Sequence, residues 1–278
     1  MNISILGSGL MGRDIGILFT QSKEIETIDL IVTHSDFRSK EKELRDYFRS
    51  LSDQLKTKHD VSLYKKIAVS DSFKGIRESN LIIESVSEDI AIKEDVIDHA
   101  NKFVNNKTIF CTNTSSLSIE KLSKLYKYPN QLIGLHFFNP AIKSKLIELA
   151  YFQKSQLELA DPIIKVLENL GRKILIIKDY PGYIINRLLL SQINEALSIL
   201  EDKVASPEEI DTSFKIANNS FIGPLGLSDF IGNDVVLAML DNLYQETKKD
   251  KFKAGELLKK MVREDRLGIK TKEGFFKY

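Results

Sequence analysis

Asn2-Ile3-Ser4-Ile5-Leu6-Gly7-Ser8-Gly9-Leu10-Met11-Gly12 joins a short β-forming run, a glycine turn and the first residues of an apolar helical face. The order strand, glycine turn, helix decides how the rest of the chain is read. Gly7 permits a tight turn, and Gly9 leaves the backbone open to a pyrophosphate that a Cβ would obstruct. Gly12 lets the helix lie close to the strand, and the helix N-terminus turns its partial positive charge to the phosphate. The pattern GxGxxG is weak evidence alone and much stronger between a strand and a helix. The three glycines, with Leu10 and Met11 between and after them, are the first candidate dinucleotide-binding positions. A strand–helix turn without a ligand is the alternative.

Working outward, short apolar runs alternate with amphipathic stretches. Strands are expected over 2–6, 28–33, 67–69, 81–84, 108–112 and 132–138, and a later pair, 146–149 and 173–177, extends the sheet. Met11, Ile15, Leu18 and Phe19 fall on one helical face. Alternation of this kind implies parallel strands joined by helical crossovers, a doubly wound Rossmann-type α/β domain. The texture changes after Asp179-Tyr180-Pro181-Gly182. From there Ile185, Leu188, Leu189, Ile193, Ala196, Leu197 and Leu200 mark one long helix. Ser206-Pro207-Glu208-Glu209 reads as the capping box of the next. The expected organisation is therefore a dinucleotide-binding domain over 1–179 and a smaller all-α domain over 180–278.

Composition narrows the partners. Lys and Arg total 40 against 39 Asp and Glu in 278 residues, so no basic field favours nucleic acid or an anionic membrane. The single cysteine, Cys111, excludes an internal disulfide framework and points to a reducing compartment. The opening MNISILGSG has no basic n-region, and no apolar run approaches the ~20 residues needed to span a bilayer. A cytoplasmic protein is expected, without nucleic-acid or membrane partners.

The second strand departs from the dinucleotide fingerprint. An acidic residue should close it, about twenty residues after the glycines, to hold the ribose hydroxyls of NAD. Here the strand ends Leu30-Ile31-Val32-Thr33-His34-Ser35. Asp29 lies mid-strand and Asp36 past the tip. Thr33, Ser35 and Arg38 form a neutral to basic cluster suited to a 2′-phosphate, so both NAD and NADP remain open. The basic residues Arg38, Lys40, Lys42, Arg45, Arg49, Lys56 and Lys58 are candidates for a substrate's phosphates, with a solvated helix face as the alternative.

Among four histidines, His34, His59 and His99 sit in polar contexts, whereas His136 falls in Gly134-Leu135-His136-Phe137-Phe138-Asn139-Pro140. That is the end of a strand, where open α/β sheets place their ligand crevice. An imidazole there can take a hydroxyl proton as hydride leaves the same carbon. Glu148, in the apolar run Lys145-Leu146-Ile147-Glu148-Leu149, needs a partner because an unpaired buried charge is expensive. Pairing with His136 satisfies both groups and orients the ring. Ser115, in Asn113-Thr114-Ser115-Ser116, is placed to hydrogen-bond the reacting oxygen, and Asn186 to reach it from the long helix.

At these residues the chain resembles the 3-hydroxyacyl-CoA dehydrogenase family, 3-hydroxybutyryl-CoA dehydrogenases included. The resemblance runs through GSGLMG, Glu84 to Glu88 with Lys93, Asn113 to Leu117, GLHFFNP, KLIEL, Asp179 to Arg187, Gly223 to Asp229, Leu267 to Lys270 and Gly274 to Phe276. HFFNP with PGYIINR is specific to that family; the glycine turn is not. The resemblance implies NAD(P)-dependent interconversion of 3-hydroxyacyl and 3-oxoacyl thioesters, carried by CoA or by a carrier protein. It implies His136 as base, Glu148 as its partner, and Ser115 and Asn186 as positioning groups. Glu88 and Lys93 would lie along the nicotinamide half of the cofactor, with Asn113 also a cofactor contact, and the helical domain would mediate a homodimer. For Glu88 and Lys93 the competing reading is a solvated pair at a helix start. For the whole chain it is a non-catalytic dinucleotide-binding protein. Ala217 to Ile222 replaces a stretch bearing glycine and proline in the family, which implies an unusual acyl preference.

Overall fold

The computed structural model describes residues 1–33, 37–54 and 65–278; of 48–54 only the backbone is described. His34, Ser35, Asp36, Lys56, Lys58 and His59, singled out above, lie outside the described residues, as does the side chain of Arg49. The chain forms two units, Met1–Tyr180 and Pro181–Tyr278.

The first unit is built on one sheet: β1 Asn2–Leu6, β2 Thr27–Ile31, β3 Ile67–Ser70, β4 Leu81–Glu84, β5 Ile109–Thr112, β6 Leu132–Phe137, β7 Leu146–Tyr151 and β8 Lys173–Lys178. The spatial order is β3-β2-β1-β4-β5-β6-β7-β8. From β3 to β6 every pairing is parallel. The helices α1 Leu10–Thr20, α2 Phe37–Gln54, α3 Ile90–Asn101, α4 Ile119–Ser123 and α5 Ser155–Asn169 intervene in sequence. Strands covered on both faces are apolar throughout. Leu81, Ile82 and Ile83 of β4 are all buried, and so are Leu132, Ile133 and Leu135 of β6. The core gathers Ile3 and Ile5 of β1, Ile15, Leu18 and Phe19 of α1, Ile83, Leu135 and Leu149.

The later pair of strands extends the sheet as expected, but not in parallel throughout. β7 runs antiparallel to β6, and β8 is parallel to β7. Residues 138–145 between β6 and β7 hold no crossover helix, and a connection that short returns the chain as a hairpin-like reversal. β2 also ends earlier than expected, at Ile31, so Thr33 stands in the loop beyond it.

The second unit holds α6 Ile185–Glu201, α7 Pro207–Asn218, α8 Pro224–Ile231, α9 Asn233–Thr247 and α10 Glu256–Arg263. The capping box is present: Ser206 Oγ accepts from Glu209 N, and Glu209 accepts from Ser206 N at 2.8 Å. The buried stripe of α6 runs through Leu190, Ile193 and Leu197. Ile193, Ala196 and Leu197 of the expected stripe are buried, and the departure is in the first turns, where Leu188 points outward. Leu190, at i, i+3, i+7 with Ile193 and Leu197, packs with Leu225, Leu240 and Phe252 instead.

Candidate active site

In this sheet the chain winds outward in both directions from β1 and β4, which neighbour each other. That reversal leaves a crevice at the carboxyl ends of the two strands. Gly7 follows β1 with φ +108°, and a Cβ on it would come 2.5 Å from the Ser85 carbonyl oxygen beyond β4. A Cβ on Gly12 would overlap the Gly7 carbonyl oxygen. Both glycines are thus required by the protein's own packing. Gly9 is not: its φ is −67°, and nothing lies within 4 Å of where its Cβ would be. The space over Gly9 is open crevice.

Gly9 also begins α1, which has no side-chain cap and no acidic residue in its first turn. An open approach to uncapped helix amides suits an anion. The crevice measures about 260 Å³ and is lined by Gly7, Ser8, Gly9, Thr33, Lys40, Ser85, Val86 and Ser87. No carboxylate is among these lining residues. Asp29 is turned aside to Ser70 of β3, whose Oγ donates to it at 2.8 Å. Burial raises the Asp29 pKa, and the Ser70 hydrogen bond only partly offsets this. These residues fit the pyrophosphate and ribose of a dinucleotide. Leu10 is half exposed at the helix start, and Met11 packs against the core.

Further along the same end of the sheet, the β6–β7 ladder sets His136 directly opposite Glu148. His136 Nδ1 lies 2.9 Å from Glu148 Oε2, with the Glu148 side chain 0% exposed and that of His136 8%. In the tautomer whose Nδ1 donates to the carboxylate, the ring's lone pair falls on Nε2. Phe138 braces the imidazole, ring centres 4.6 Å apart. Asn113, just past β5, ties this strand end to its neighbours. Its Oδ1 accepts from Phe137 N at 2.8 Å, and its Nδ2 donates to Ser85 Oγ at 3.3 Å.

The turn after Asn113 is held by Glu88. Its Oε1 accepts from Thr114 Oγ1 at 2.6 Å, Ser115 N at 2.8 Å, Ser116 N at 2.9 Å and Ser116 Oγ at 3.0 Å. Ser115 Oγ also donates to the same oxygen, at 3.3 Å. Burial pushes the Glu88 carboxyl up, but Lys93 and these hydrogen bonds outweigh it and hold it below the usual carboxylate range. The solvated reading is overturned for Lys93, whereas Glu88 is itself exposed. Lys93 is 1% exposed and ion-paired to Glu84 at 2.8 Å, with Glu88 at 3.4 Å. Asn186 belongs to the other unit, buried in the first turn of α6.

Family comparison settles what this arrangement belongs to. The family model described as 3-hydroxyacyl-CoA dehydrogenase, NAD binding domain, matches residues 2–180, and that of the C-terminal domain matches 182–278. The chain belongs to the 3-hydroxyacyl-CoA dehydrogenase family. Its NAD-binding Rossmann domain and helical C-terminal domain are those of the family. The 3-hydroxybutyryl-CoA dehydrogenase of Clostridioides difficile is 35% identical, covering 100% of this chain and 99% of that protein. The mitochondrial hydroxyacyl-coenzyme A dehydrogenase of Sus scrofa is 28% identical, covering 100% and 91%. The crystal structure of (S)-3-hydroxybutyryl-CoA dehydrogenase from Ralstonia eutropha superposes with TM-score 0.89 at 30% identity, covering 100% and 98%.

For a member of this family, two residues escaped the reading of the sequence. Glu84 is fully buried and receives Lys93, Thr112 Oγ1 at 2.6 Å and Val86 N at 2.8 Å. A carboxylate closing the apolar strand Leu-Ile-Ile-Glu was the available signal. Lys40 is expected from the sequence either to bind a substrate's phosphates or to lie on a solvated helix face, not to wall the dinucleotide crevice. It does pair with Glu43 at 2.7 Å, and Arg45 pairs with Glu41 as a solvated face requires, yet Lys40 also walls the crevice. Among the described residues, no helix is long and apolar enough to cross a membrane.

Proposed function

We propose that the chain interconverts 3-hydroxyacyl and 3-oxoacyl thioesters, with His136 as the proton-transfer base. The observation that carries this is the buried His136–Glu148 pair at the crevice end of a sheet bearing an open dinucleotide turn. When bound, the nicotinamide cofactor supplies the hydride exchange. His136 Nε2 takes the hydroxyl proton in oxidation and returns it in reduction. Glu148 fixes the tautomer and stabilises the imidazolium that forms. Ser115 Oγ, which donates to Glu88 Oε1 at 3.3 Å in the structure, turns its one hydrogen to the substrate oxygen, which favours the alkoxide-like charge developing there. Asn186 enters this reading on the family motif alone. The names of the relatives support an acyl-CoA substrate. Absorbance of the reduced cofactor with purified protein and acetoacetyl-CoA tests the proposal: oxidation is expected, and its absence in a protein that binds a dinucleotide refutes it.

A second reading concerns the cofactor's ribose. Thr33 and Lys40 on the crevice wall, with no carboxylate lining it among the described residues, support a 2′-phosphate as an occupant. We propose that NADPH is accepted along with NADH, and running both in parallel decides it. We further propose a homodimer formed through the helical unit, which exposes Phe221, Ile216, Phe230 and Leu188. Light scattering checks it, a monomer being the refuting result.

A further inference from the structure

The positioning of Ser115 reaches back into the core through three charged groups. Glu84 ends β4 and is 0% exposed, and both its oxygens accept from Lys93 Nζ, at 2.8 and 2.9 Å. Thr112 Oγ1, at the end of β5, and Val86 N hold the same carboxylate. Lys93 Nζ in turn lies 3.4 Å from Glu88 Oε2. The other oxygen of Glu88 gathers Thr114 Oγ1, both amides of Ser115 and Ser116, and the Ser116 hydroxyl. A single carboxylate oxygen therefore fixes the backbone of the turn that carries Ser115.

That oxygen is held only while Glu88 is ionised and oriented. A protonated carboxyl loses most of its power to accept from amides. Lys93 reaches Glu88 from α3, and Glu84 sits behind Lys93 on β4. The remaining groups facing Glu88 are the neutral hydroxyls and amides of the Thr114–Ser116 turn. Asp89, next in sequence, is turned to the amides of Ala91 and Ile92. We propose that Glu84 and Lys93 are positioning residues, which lock Glu88 as a clamp on the Thr114–Ser116 turn and thereby set where Ser115 Oγ stands. Both are buried, Glu84 at 0% and Lys93 at 1% exposure, and act through Glu88. The link to turnover rests on the activity proposed above.

The test removes the buried pair together, Glu84→Gln with Lys93→Met, so that neither charge is left alone in the core. Hydrogen exchange of the Ser115 and Ser116 amides, corrected for intrinsic rates, is followed against pH in the full-length protein. The reduction of acetoacetyl-CoA is followed in parallel. In that direction His136 is the proton donor, a role that acid does not remove. In the double variant the pH at which amide protection is lost rises by about 1 to 3 units, the usual effect of an adjacent opposite charge. The acid limb of kcat rises with it, and KM changes little. Glu84→Gln alone gives the opposite sign, because Lys93 then turns wholly to Glu88. It serves as the second variant if the double one does not fold. Unmoved protection in a folded variant overturns the clamp, and moved protection with an unmoved kcat profile overturns the positioning role. If the unaltered protein does not reduce acetoacetyl-CoA, the proposed function fails, and the exchange measurement still decides the clamp.

Discussion

Gly9→Ala separates what the glycine turn does for folding from what it does for a ligand. The residue sits at φ −67°, ψ −175°, a conformation alanine adopts without strain, and its missing Cβ would project into open space. The protein itself therefore does not need glycine there. Restricting the unfolded chain should stabilise the fold by about 0.4–1 kcal/mol, or roughly 1–3 °C in Tm. A dinucleotide's pyrophosphate, by contrast, must come within hydrogen-bond distance of the helix amides through the space that methyl fills. Losing one hydrogen bond to a charged oxygen removes about 1.5–3 kcal/mol, equivalent to about 10- to 150-fold in affinity. Thermal unfolding and titration by the fluorescence of NADH measure the two effects on one sample. Gly12→Ala is the contrasting variant: its Cβ meets the Gly7 carbonyl, so it should lose both stability and binding. A Gly9→Ala protein binding NADH as tightly as the parent would refute the assignment of this crevice to the pyrophosphate. A clear drop in its Tm would refute the packing argument.

The other expectations concern the dyad, the second unit and acid. Glu148→Gln keeps the shape but places a donor-capable neutral amide against His136 Nδ1, and kcat should fall about 10²- to 10⁴-fold with KM little changed. Steady-state kinetics showing less than a fivefold loss would sink the dyad. Asp229, 1% exposed, accepts from Phe275 N, Phe276 N, Asn233 Nδ2 and Tyr278 OH. Asp229→Ala should cost about 3 kcal/mol or more, read by urea unfolding of the whole chain. Glu88 has a depressed pKa in the folded protein. Its contribution to stability is therefore fully present above its unfolded value, near 4.5, and is lost as pH falls through the lower folded value. Glu88→Gln should flatten that part of the acid unfolding curve, and an unchanged curve would contradict the clamp's charge.

Much of the fold is legible in the sequence because its signals are local. Asn2–Leu6 runs straight into a glycine turn, Leu81–Glu84 is an apolar run after Ser79-Asn80, and Ser206 with Glu209 spells out its own cap. What escaped is non-local. The reversal of β7 depends on the path of 138–145, not on any periodicity within Leu146–Tyr151. The outward turn of Leu188 is settled by which face of α6 the neighbouring helices cover. In the site, the need of Glu148 for a partner was readable from one buried carboxylate in an apolar strand. Lys93 was not, because a lysine four residues after Asp89 on a helix looks solvated until the Glu84 beneath it is known.

The antiparallel edge has an evolutionary corollary. His136 and Glu148 are brought together by rungs of a ladder, so the number of residues separating them along the chain is incidental. The connecting loop is secured separately, by Arg172 donating to the carbonyls of Ile142 and Ser144. Insertions after Pro140 can therefore accumulate without disturbing the dyad, whereas a single-residue slip between β6 and β7 would turn Glu148 to the opposite face and abolish it. Distant relatives should vary freely in that loop's length while keeping the pairing of the two strands, and a search demanding a fixed His-to-Glu interval would pass them over.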